Sequence, residues 1–289
     1  MTVTLPNVVY IGLQKTGSTF LRNYFYSHSS IRCTRHGLFF QTDQADTAIQ
    51  PAARAREIYA QRFSTEPDRP CRIDMYESLG MGYALCGTAD WDPSIMVQPG
   101  LAASDPRVTF SPDQIADRIA AILPGAKVIL TVRNQIDWLD SNFRWFLPHL
   151  KAGCATLMDF LSTREGKLAL AAGHYDRLYD IYAERFGSDN LLIMPLERLQ
   201  AAEEDCLRQV CAFLEVPFLP YNDNDKKYNR GPDLPPQAQV QTSRWWRRRK
   251  PQATMRPAEI DVLRLVFAES NARLSRLLGL DLAALGYAV

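Results

Sequence analysis

None of the six cysteines, at 33, 71, 86, 154, 206 and 211, belongs to a Cys-x-x-Cys pair. That spacing argues against a zinc ribbon and a thioredoxin-type redox site. The opening Met-Thr-Val-Thr-Leu-Pro-Asn has neither a basic n-region nor an apolar h-region, so no secretory signal is expected. No apolar run reaches the roughly 18 residues that a spanning helix takes. Neither sign of charge is in real excess: 33 Lys+Arg face 32 Asp+Glu, a formal charge of +1. This excludes a globally basic nucleic-acid binder while leaving room for a local basic patch. Internal repeats, low-complexity tracts and clusters of metal-ligating residues are absent too. With no linker between two autonomous cores, residues 1–289 read as a single domain, large enough to bury a core without disulfides. The expectation is a reduced, cytoplasmic globular protein.

What is present is alternation. Apolar runs at 7–12 (NVVYIG), 31–33, 71–75 (CRIDM), 127–132 (KVILTV) and 190–195 (NLLIMP) read as short buried strands. Helical patterns fall between them, at 17–27, 51–63, 111–123, 135–146, 156–162, 173–186 and 203–214. A last amphipathic helix over 257–278 carries Ile260, Leu263, Phe267, Leu274 and Leu277, with Gly279 as its stop. Residues 78–110 and 221–254 lack a steady period and read as long loops or lids. Strands alternating with helices predict an α/β fold in three layers, a mainly parallel central sheet flanked by helices.

Between the first strand and the first helix stands Gly12-Leu13-Gln14-Lys15-Thr16-Gly17-Ser18-Thr19. A turn there aims backbone N–H groups and the positive helix end at an anion, as in P-loop-like phosphate sites. A Walker A loop has its lysine directly after the second glycine. Here serine holds that position and the lysine stands inside the loop, at 15. The strongest strand ends in Thr131-Val132-Arg133-Asn134, and Ser141 follows eight residues after Arg133. An arginine at the carboxyl end of a central strand is costly unless it meets an anion, and phosphate suits it. At about 100° per residue, Ile136, Leu139, Phe143, Phe146 and Leu147 share one helix face while Ser141 points away from it.

Together these motifs resemble the sulfotransferases that use 3′-phosphoadenosine 5′-phosphosulfate (PAPS). Lys15 to Thr19 are similar to that family's 5′-phosphosulfate loop, and Arg133 with Ser141 to its 3′-phosphate site. The resemblance implies PAPS as sulfuryl donor, 3′,5′-ADP as product and no required metal. It assigns Lys15, Thr16, Gly17, Ser18, Thr19, Arg133 and Ser141 to donor binding. By location and charge, it adds Lys227, Asn229 and Arg230 of the basic loop after the last strand. The segment Leu123-Pro124-Gly125-Ala126-Lys127 and the ending from Ser270-Asn271 to Leu285-Gly286-Tyr287 also resemble members of the family.

Transfer of a sulfuryl group to an alcohol resembles phosphoryl transfer, an in-line reaction dominated by positioning and electrostatics. Lys15 suits the charge that develops at the bridging oxygen. Two residues qualify as the base. His36 follows the second strand, where glycan and protein-tyrosine members commonly place a glutamate, and imidazole is a competent base near neutral pH. Glu77, past the third strand, is the other. The acceptor implied is a hydroxyl on a glycan, a glycolipid or other lipid-linked molecule, or a peptide. The basic-aromatic run Arg244-Trp245-Trp246-Arg247-Arg248-Arg249-Lys250 suits a polyanion or a membrane surface. Trp91, Trp138 and Trp145 offer either sugar stacking or core packing. A P-loop kinase with an aberrant loop, and a non-enzymatic nucleotide-binding or membrane-docked scaffold, are the alternatives. A kinase has no reason to keep Arg133 and Ser141 at that spacing, and the intact Lys15, Arg133 and Ser141 argue against a decayed scaffold.

Overall fold

The computed structural model describes residues 5–13, 15–34, 52–63, 69–75, 95–96, 108–109, 112–146, 156–162, 164–221 and 255–289. The strands are β1 (Val8–Tyr10), β2 (Ile31–Thr34), β3 (Cys71–Met75), β4 (Ile95–Met96), β5 (Val108–Thr109), β6 (Lys127–Val132) and β7 (Leu191–Pro195). The helices up to the middle of the chain are α1 (Ser18–Ser27), α2 (Ala52–Phe63), α3 (Pro112–Ile122), α4 (Gln135–Phe146) and α5 (Leu157–Ser162). Then come α6 (Arg164–Ala172), α7 (Tyr175–Phe186), α8 (Leu196–Ala201), α9 (Glu203–Leu214) and α10 (Pro257–Leu278).

Five strands form one sheet in the order β2-β3-β1-β6-β7, and every neighbouring pair in it is parallel. The expected α/β sheet is therefore observed. Its residues alternate between two apolar layers, as strands buried on both faces must. Val9, Ile11, Val128, Leu130, Val132 and Ile193 pack with α2 to α7 and α10. Val8, Tyr10, Ile129, Leu192 and Met194 pack on the other side with α1, α8 and α9. Helix α10 adds Leu263, Phe267 and Leu274 to the first layer, each contributing on the order of 1.5–3 kcal/mol by burial. It stops at Gly279, whose left-handed φ of 62° is the conformation a side chain disfavours.

Several details differ from the sequence expectation. Helix α6 escapes a periodicity reading because Gly166 stands in its first turns. A Cβ there would run into the Phe160 carbonyl oxygen, so the glycine permits α5 and α6 to meet. Helix α8 is a six-residue turn entered from Pro195, too short to show a period. Within 78–110, β4 and β5 pair in parallel, where a loop alone was expected. Trp138 is fully buried, edge-to-face with Tyr175 at 6.3 Å, so it packs the core and offers no sugar platform. Among the described residues, no helix is long and apolar enough to cross a membrane.

Candidate functional site

Strand β1 runs between β3 on one side and β6 on the other, so the chain order reverses at the β1/β6 boundary. Ligands of open α/β sheets bind at the carboxyl ends of the strands at such a switch point. Both basic residues singled out in the sequence emerge there, Lys15 after β1 and Arg133 after β6.

The β1 loop is held from beneath. Thr16 is fully buried; its hydroxyl donates to the Leu13 carbonyl and lies 2.7 Å from the Thr131 hydroxyl. The Tyr10 hydroxyl joins the same cluster through Thr131. The Thr16 side chain is therefore committed to the loop's own floor, and its backbone N–H is what it has to offer a ligand. Lys15 adopts a left-handed φ of 63° and Gly17 one of 92°. Backbone of this kind turns N–H groups toward one concave side, where anions sit. Gly17 caps α1, and a Cβ on it would stand 2.8 Å from Leu196 Cδ1 at the start of α8. The helix then presents its partly positive N-terminus to the loop.

The β6 loop meets this one directly: Arg133 Nη1 donates to the Lys15 carbonyl oxygen at 3.4 Å. Beyond that bond, the Arg133 guanidinium has no ion-pair partner among the described residues. The same holds for the exposed Lys15 amine. Ser18, Thr19 and the half-buried Ser141 likewise use their hydroxyls in no hydrogen bond among the described residues. Two cations, a helix N-terminus and the uncommitted hydroxyls of Ser18 and Thr19 thus gather around the switch point, with no anion paired to either cation among the described residues. This is a site for an anionic ligand carrying more than one negative group.

The structure brings Lys15 and Arg133 into contact and puts Ser18 and Thr19 at the start of the helix beside them. It sets Ser141 apart, in the second turn of α4, with no bond to Arg133. His36, Glu77, Lys227, Asn229, Arg230 and the run Arg244–Lys250 lie outside the described residues. Sequence reasoning missed Tyr10 and Thr131 as the floor of the loop, although Thr131 stood in the quoted motif. It also missed Tyr175 and Glu197, which hold the Arg133–Asn134 backbone, and the bond from Tyr287 to Glu197, although Tyr287 stood in the quoted ending.

Among the described residues, the thiols of Cys33, Cys71, Cys206 and Cys211 offer no nucleophile, since burial raises each of them. Burial pushes Cys71 up to about 12 and Cys33 higher still, the latter aided by the nearby Asp74 carboxylate. Both remain protonated at neutral pH. Among the described residues, no group of three His, Cys, Asp or Glu side chains is arranged to hold a metal ion.

Solved structures share this fold. A sulfotransferase from Alicyclobacillus acidocaldarius superposes with a TM-score of 0.65 at 18% identity, covering 98% of this chain and 100% of the other. The sulfotransferase domain of the Synechococcus PCC 7002 olefin synthase gives 0.50 at 15% identity, over 94% and 97% of the two chains. At these identities the likeness speaks for the fold. Among curated protein sequences, none matches significantly. The Sulfotransferase family itself matches residues 6–220, which takes in both loops and the whole five-stranded sheet. The chain belongs to the sulfotransferase family.

Proposed function

We propose that the protein moves the sulfuryl group of PAPS to a hydroxyl on a carbohydrate, lipid-linked or peptide acceptor, without a metal. Family membership makes sulfuryl transfer the reaction; the donor, the roles of the residues and the acceptor class are the reading added here. One observation carries it. Lys15 and Arg133 touch at the switch point, each cation without a partner anion among the described residues, beside the N-terminus of α1. A donor with phosphate groups at both its 5′ and 3′ positions satisfies two such cations at once.

In this reading the N–H groups of the β1 loop, with Ser18 and Thr19, hold the 5′-phosphosulfate. Arg133 and Ser141 hold the 3′-phosphate, with Lys227, Asn229 and Arg230 closing over it. As the acceptor oxygen bonds to sulfur, the bond from sulfur to the 5′-phosphate oxygen breaks. Lys15 offsets the charge arriving on that oxygen, an interaction strongest in the transition state. His36 takes the proton of the acceptor hydroxyl, with Glu77 as the rival base. The run Arg244–Lys250 provides contact with a polyanionic acceptor or a membrane surface.

Thermal denaturation tests the donor. 3′,5′-ADP at about 100 times its Kd should stabilise the protein by about 2.7 kcal/mol in the absence of Mg²⁺. Stabilisation by ATP with Mg²⁺ alone would point to a kinase instead. An acceptor screen with radiolabelled PAPS then reads the chemistry. His36→Ala should cut turnover by about 10²–10⁴ while 3′,5′-ADP still binds. A nearly dead Glu77→Gln beside an active His36→Ala would transfer the role to the carboxylate.

A further inference from the structure

Arg133 and Asn134 form the short link between β6 and α4, and Gln135 opens that helix. Each of the three is gripped by groups distant in sequence. The Arg133 carbonyl accepts a hydrogen bond from the Tyr175 hydroxyl at 2.8 Å. The Asn134 N–H donates to Glu197 Oε1 at 2.8 Å, and the Asn134 side-chain amide donates to the Gly286 carbonyl at 2.7 Å. Its Oδ1 accepts from the Ile136 N–H at 3.0 Å, capping α4. Tyr287 then donates its hydroxyl to the second oxygen of Glu197 at 2.8 Å. Gln135 and Asn271 exchange amide hydrogen bonds in the core, at 2.5 and 3.2 Å, and Asn271 also donates to the Ala288 carbonyl at 2.8 Å.

We infer that the C-terminal segment from Asn271 to Ala288, with Glu197 and Tyr175, is a clamp that sets the Arg133 loop for recognition of a 3′-phosphate. The inference rests on the reading of Arg133 given above. It extends the site beyond residue 220, where the family match ends. The clamp binds only the backbone of Arg133 and leaves the guanidinium, whose one bond among the described residues is to the Lys15 carbonyl, without an anion. A long side chain turns a small tilt of its backbone into a displacement near 1 Å at its tip, a shift that matters to positioned groups. The clamp also occupies both oxygens of Glu197. Tyr287 and Glu197 are therefore positioning residues, acting through the Arg133 loop. Burial above all raises the phenols of Tyr175 and Tyr287 far above the usual range, so both remain donors at any physiological pH.

Isothermal titration with 3′,5′-ADP and with 5′-AMP, which lacks the 3′-phosphate, reads the clamp as a ratio of affinities. In the unaltered protein 3′,5′-ADP should bind more tightly. Arg133→Ala should remove most of that preference. Tyr287→Phe, which deletes one hydroxyl, should reduce it about two- to tenfold while 5′-AMP binds as before. Glu197→Gln should act in the same direction, and either variant decides the matter if the other fails to fold. A preference lost in Arg133→Ala but intact in both clamp variants overturns the clamp and leaves the role of Arg133 standing. Equal losses for the two nucleotides in the clamp variants also overturn it, because that pattern is general loosening. A preference that survives Arg133→Ala removes the reading of Arg133, and the clamp with it.

Discussion

The two loops that meet at the switch point are held in opposite ways. The loop after β1 is fixed from within and below: left-handed Lys15 and Gly17, the buried Thr16 hydroxyl, and the Thr131 and Tyr10 hydroxyls beneath it. The loop after β6 is fixed from outside, by Tyr175, Glu197, Asn271 and the Gly286–Ala288 strip. Most of the first loop's determinants lie within a dozen residues of Lys15, whereas those of the second stand forty or more residues from Arg133. A loop of the first kind carries its own conformation, and a loop of the second kind borrows it. The first suits the reacting centre, where a lysine must be rigid regardless of what binds nearby. The second suits recognition, where other parts of the protein can adjust the grip.

The contrast is broken most forcefully at Lys15. Lys15→Ala should leave the fold intact and cut turnover by about 10²–10³, the scale of one electrostatic group aimed at developing charge. Single-turnover assays beside circular-dichroism melts check this; preserved turnover would put Lys15 away from the reacting atoms. Gly17→Ala comes next. It forces a side chain into φ 92° with Leu196 Cδ1 2.8 Å from the new Cβ, at a cost of about 1–3 kcal/mol in urea unfolding. A loss under about 0.5 kcal/mol would show that the loop does not depend on its left-handed turn. Thr131→Val should cost about 1–2 kcal/mol, because it withdraws a shared partner from two buried hydroxyls. It should weaken 3′,5′-ADP and 5′-AMP alike, unlike the clamp variants, and a selective loss would erase the distinction between the loops. The smallest expected effect is none. Because both clamp phenols titrate far above their ordinary value of about 10, they stay neutral donors throughout the range below it. The preference for 3′,5′-ADP over 5′-AMP should then be flat between about pH 7.5 and 9.5. A decline in that window would implicate a phenol that ionises early.

The same local-versus-distant contrast governs what could be read from sequence. Strands over 71–75 and 127–132 and the helices over 135–146, 203–214 and 257–278 match their expected limits, since each carries its own apolar period or cap. Lys15 and Arg133 were legible because chemistry and position coincide: a cation at a strand end demands an anion. Thr16 shows where such reading stops. The resemblance assigned it to donor binding, and its side chain is folded inward against Leu13 and Thr131. Glu197 carried no signal, because its partner is a backbone N–H that only the folded chain delivers, and Tyr287 stood in the family-like ending with nothing to show that it reaches Glu197. Helix α6 was hidden by Gly166, a residue that weakens a helix in isolation and is required here by the close approach of α5.

The position of β1 has a kinetic consequence. Val8 pairs with Ile73 on one side and with Lys127 on the other, so both neighbours of the central strand are synthesised more than sixty residues later. Closing such large loops must precede any gain from pairing, and parallel sheets of this kind form slowly. Until β6 arrives, one hydrogen-bonding edge of an apolar strand, Val8-Val9-Tyr10, has no native partner to cover it. Such an edge is a template for association between chains. Refolding yield should therefore fall as protein concentration rises, even for variants whose folded state is fully stable.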